Sequence, residues 1–150
     1  MKRLLALVLI VVVPALAFAA GSLKVPALGI KLDLPADSKI TESLGVTMIK
    51  GGGTDLTLKV IQPKSAGDVH TAAEAEKIIK EMSFLKMLKA ENTPEFWCFH
   101  YTKGTTDFMA WAVLAQRTTA DKKVVQCQYE GYSKEEAEKA VAACRSISKL

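Results

Sequence analysis

The sequence predicts an α+β fold: one antiparallel sheet carrying two helices, in the order β-β-β-α-β-β-β-α. Three observations lead there. Short runs alternate apolar and polar residues with period two, two windows change to a period near 3.6 behind capping signals, and the connections are short enough to favour antiparallel neighbours. With 49% apolar and 24% charged residues over 150 positions, the chain falls outside the collagenous, low-complexity and disordered classes.

The first element is an export signal. Lys2 and Arg3 precede an apolar run over residues 4–13, Pro14 breaks it, and Ala17-Phe18-Ala19 forms an A-x-A cleavage pattern. Residues 1–19 are therefore expected to be removed, leaving Ala20 at the mature N-terminus and a single domain over residues 20–150. The apolar run falls short of the roughly 20 residues needed to cross a bilayer, so no stable membrane span is expected after cleavage. No cysteine stands near the cleavage site to carry a lipid. The expected location is extracytoplasmic, periplasmic or secreted.

In the mature chain, residues 29–35 alternate and stop at Pro35, as a half-buried strand does. A second run over 46–50 reaches Gly51-Gly52-Gly53, and a third follows over 56–61, so the glycines are expected to turn a hairpin. A phosphate loop is excluded, because no Gly-Lys-Ser/Thr ending and no helix pattern follows. From Thr71 the period becomes helical through Ala75, Ile78, Ile79, Met82 and Leu85. Thr71 and Glu74 form a capping box, and the helix is expected to reach about Ala90 with Met82, Met87 and Met109 in core positions. Three strands are expected over 96–102, 108–115 and 122–129. Ser133 and Glu136 then cap a second helix with Ala137, Ala140, Val141, Cys144 and Ile147 on one side.

This order of elements, the strand Ile30-Lys31-Leu32-Asp33-Leu34-Pro35 and the ending Cys144-Arg145-Ser146-Ile147 resemble the PsbP-like superfamily, which includes the extrinsic photosystem II subunit and DcrB-type bacterial envelope proteins. The resemblance implies a non-catalytic accessory or adaptor domain. It supplies no catalytic motif to place on this chain.

The charges exclude nucleic acid as an expected partner. The formal charge of +4 falls to +2 once Lys2 and Arg3 leave, and lysines alternate with glutamates along residues 74–89 as on a solvated helix face. Three cysteines in an exported chain suggest one disulfide and one remainder. Cys127 shares a strand face with Val125 and Tyr129, and Cys144 lies on the apolar stripe of the next helix, so these two are the expected pair.

Cys98 and His100 stand two apart on a strand and project from one face, a candidate metal or thiol site. Two ligands do not make a tight site, and no G-x-S-x-G elbow or other catalytic constellation is present. The other concentration is aromatic. Trp97, Phe99 and Tyr101 occupy the opposite strand face and Trp111 the next strand, giving either core or a candidate partner surface. The sequence is thus read as an exported binding or adaptor domain with no enzymatic activity and no cofactor, docking to an unknown protein or other envelope component. The alternative is a weak metal-binding or thiol redox protein using Cys98 and His100.

Overall fold

The structure is a computed structural model that describes residues 21–105 and 108–150. The expected signal segment and its expected cleavage site lie outside the described residues. Among the described residues ten strands form two sheets, all of whose neighbours are antiparallel, and two α-helices pack on them. None of the described helices is long and apolar enough to cross a membrane.

The smaller sheet contains β1 (Ser22–Val25), β2 (Ile30–Asp33) and β10 (Ser148–Lys149), in the order β1-β2-β10. β1 and β2 are joined through a 3-10 turn over Pro26–Leu28 that ends on left-handed Gly29. The larger sheet takes β3 (Lys39–Ser43), β4 (Val46–Gly51), β5 (Thr54–Ile61), β6 (Leu85–Asn92), β7 (Phe96–Thr105), β8 (Phe108–Thr118) and β9 (Val124–Gly131) in the order β3-β4-β5-β9-β8-β7-β6. The Gly triplet does turn the β4–β5 hairpin: Gly51 pairs with Thr54, and Gly52 and Gly53 both take positive φ, as a two-residue type I′ turn demands.

The helices are α1 (Ala72–Glu81) and α2 (Lys134–Ser146). At α1 the capping box is complete, with Thr71 Oγ1 accepting from Glu74 N–H and the Glu74 carboxylate accepting from Thr71 N–H. At α2 only half of it forms. Ser133 accepts from Glu136 N–H, but the Glu136 carboxylate instead accepts from the Tyr129 hydroxyl at 3.0 Å, tying the helix start to β9.

The expected order changes at four places, because β1, β3, β6 and β10 were not anticipated. The consequential one is β6. The helix expected to reach Ala90 stops at Glu81, and Leu85–Asn92 becomes the edge strand beside β7. Leu85 and Met87 satisfy a helical repeat as well as a strand one, and pairing with the long β7 decides between them. Met82, just past the end of α1, is exposed rather than core, and so is Met109, which pairs with Gly104 near the end of β7.

The sheet separates two cores. On one face α2 and the small sheet cover Leu56, Leu58, Phe96, Val113, Val125 and Cys127. Ala137, Ala140, Ala143 and Cys144 form the buried stripe of α2, small side chains that let the helix lie close to the strands. Cys127 on β9 and Cys144 on α2 are joined by a disulfide across this core, with Cα atoms 5.8 Å apart. On the other face α1 covers only the β6–β8 end, where Ala72, Ala75 and Ile79 bury Trp97 and Phe99.

Candidate functional site

The face that α1 leaves open is a groove of about 580 Å³. Strand register explains its lining. Thr41, Met48, Thr57 and Gln128 are successive cross-strand partners on β3, β4, β5 and β9, and their row continues into Leu114 and Phe99, where α1 takes over. Beside it runs a charged row, with Lys39 opposite Lys50 and Lys50 opposite Asp55, the last pair joined at 3.3 Å. Glu130 and Tyr101 close the groove toward the aromatic core. Burial, and then the nearby Glu130 carboxylate, raises the Tyr101 phenol above its usual range. The groove therefore offers hydroxyl, amide and thioether groups at its centre and both lysines and carboxylates at its margin.

A second cavity, a cleft of about 260 Å³, lies on the opposite face between β6, β7 and α2. Here a β-bulge sets the chemistry. Met87 pairs with Tyr101, but after the extra residue Leu88 it is Lys89 that pairs with His100 and Glu91 with Cys98. Without the bulge Lys89 and Glu91 would share the face of Met87; with it they turn to the face of Cys98 and His100. Glu91 then meets Arg145 of α2 at 2.6 Å. Glu138, Val141 and Ala142 complete the α2 side.

Cys98 is 4% exposed and is the free cysteine. Burial first, and then Glu91, pushes its thiol up to about 12, so at neutral pH it is protonated and a poor nucleophile. His100 is 8% exposed, and its Nε2 is buried without a hydrogen-bond partner. Burial lowers its pKa, favouring the neutral ring. Its ring centroid lies 5.6 Å from that of Trp111.

The four aromatic residues considered as one partner surface are divided by the fold. Trp97 at 8% and Phe99 at 2% exposure are core beneath α1, because the helix lays its Ala72, Ala75 and Ile79 face over that end of the sheet. Tyr101, half-buried, borders the groove. Trp111 lies on the other face next to His100, with the Lys134 ammonium 6.0 Å from its ring centroid. The groove residues on β3 and β4 were not singled out from the sequence, although Lys39, Thr41, Met48 and Lys50 fall at alternating positions that place them on one face once the strands pair.

No protein-family model and no curated protein matches the chain by sequence. The resemblance to the PsbP-like superfamily thus rests on sequence patterns alone. By structure, the chain is similar to LpqN, described as involved in cell envelope biogenesis of Mycobacterium tuberculosis, with 14% identity and a TM-score of 0.46 over 79% of this chain and 82% of that one.

Proposed function

We propose that the chain is an exported, non-catalytic binding or adaptor domain that receives a segment of an envelope protein or another envelope component in the groove over β3, β4, β5 and β9. The observation that carries this reading is the half-covered sheet: α1 shields the β6–β8 end, while the adjoining strands present a concave surface lined by side chains of mixed polarity. A volume of about 580 Å³ is within the ordinary range of ligand-binding clefts. The Cys127–Cys144 bond supports export, since disulfides persist in oxidising compartments. The protonated thiol of Cys98 argues only against that residue acting as a nucleophile.

The test is site-specific photocrosslinking in the producing cell. A photoreactive residue in place of Thr57 should capture a defined envelope component, whereas one in place of Lys77 on the outer face of α1 should not. Met48→Arg should abolish the capture while changing stability by less than about 0.5 kcal/mol, because Met48 faces solvent. Equal capture from both positions, or capture undisturbed by Met48→Arg, would remove the groove from consideration.

A further inference from the structure

The cleft under α2 is separate from the groove and brings together two donor side chains that nothing in the proposed binding role uses. Cys98 and His100 reach it from the same strand, two residues apart and therefore on one face. Cys98 has no disulfide partner, and the buried Nε2 of His100 has no hydrogen-bond partner, an arrangement that costs free energy unless something occupies the site. We propose that this cleft holds a single soft monovalent metal ion of the Cu(I) type, bound by Cys98 Sγ and a ring nitrogen of His100.

The choice of ion follows from the number and kind of donors. Among the described residues no three His, Cys, Asp or Glu side chains stand close enough together to hold a metal ion. Glu91 is engaged by Arg145 at 2.6 Å, and Glu138 has Lys134 at 3.8 Å. A structural zinc ion wants four ligands, which the cleft does not supply. Thiolate favours soft ions such as Cu(I), and a thiolate with one imidazole makes a two-coordinate site.

Charge balance points the same way. On binding, the Sγ–H bond breaks, an Sγ–metal bond forms, and one proton leaves to solvent; the imidazole contributes a lone pair and nothing is oxidised or reduced. One positive charge replaces another, so the metal thiolate is as neutral as the thiol was. The burial that penalises a bare thiolate does not penalise this pair, whereas a divalent ion would leave an uncompensated charge in the cleft. The charged groups around the pair are Lys89 and Glu91 from β6 and Lys134, Glu138 and Arg145 from α2, with the Trp111 ring packed from β8.

The experiment uses the mature chain with its disulfide intact, handled anaerobically and titrated with Ag(I) as a redox-inert probe, then with Cu(I) against a chromophoric Cu(I) chelator. Native mass spectrometry should find one ion per chain, with one proton released and the ring ¹⁵N resonances of His100 shifted. Cys98→Ser should lose the ion, and His100→Ala should weaken binding by at least about tenfold, at the lower end of what supporting residues of metal sites contribute. Unshifted His100 resonances with an ion bound would reduce the event to capture by a thiol and overturn the proposal, and this readout needs no variant to fold. Retention of the ion by Cys98→Ser, or undiminished affinity in a folded His100→Ala, would overturn it equally.

Discussion

Replacing both Cys127 and Cys144 by Ala isolates what the disulfide contributes. The bridge joins residues 17 apart, and closing such a loop restricts the unfolded chain by about 3 kcal/mol at 25 °C in the chain-entropy treatment. Alanine is the appropriate replacement because both sites are wholly buried among Leu58, Val125, Ala140 and neighbouring apolar groups. A serine pair would add the desolvation of two hydroxyls, of the order of 1–3 kcal/mol each where no partner is found. For a domain of roughly 130 residues the unfolding entropy near the midpoint is about 0.27 kcal/mol/K, so the alanine pair should lower Tm by about 11 °C. Differential scanning calorimetry of the oxidised protein and the Ala pair, with a non-reducing peptide map of the former, measures it. A loss below about 1 kcal/mol, or a map joining Cys98 to either partner, would refute the reasoning.

Trp97→Ala should cost about 3–5 kcal/mol by emptying the core beneath α1, and half-buried Trp111→Ala clearly less; equal losses in urea denaturation would contradict their placement on opposite faces. Cys98, raised to about 12, should resist iodoacetamide at pH 8 in the native metal-free protein and react promptly in denaturant, as followed by mass spectrometry; fast native labelling would contradict the burial. Because the folded pKa of His100 lies below its ordinary value of 6.5, its contribution is present above pH 6.5 and is lost as pH falls through the folded value. Denaturation between pH 8 and 5 should therefore show a decline that His100→Leu flattens, and an unchanged slope in that variant would assign the decline elsewhere.

Much of the fold is legible along the chain because local physics suffices for it. The capping box at Thr71 and Glu74, the paired left-handed glycines of the β4–β5 turn and the alternation through β7 each depend on residues within a few positions of one another. So does the shared strand face of Cys98 and His100, and the stripe of α2 that brings Cys144 toward β9. What tertiary pairing decided is whatever two periods describe equally well or whatever depends on a distant cover. Residues 85–92 satisfy a helical and an extended reading until β7 supplies hydrogen bonds to their backbone. Whether Trp97 and Phe99 are core or surface depends on where α1 lands, which the strand bearing them does not encode by itself. The cleft depends on a single inserted residue: only after Leu88 bulges do Lys89 and Glu91 change faces to join Cys98, His100 and the α2 residue Arg145, because a one-residue shift in a pleated strand reverses the side on which every later side chain projects.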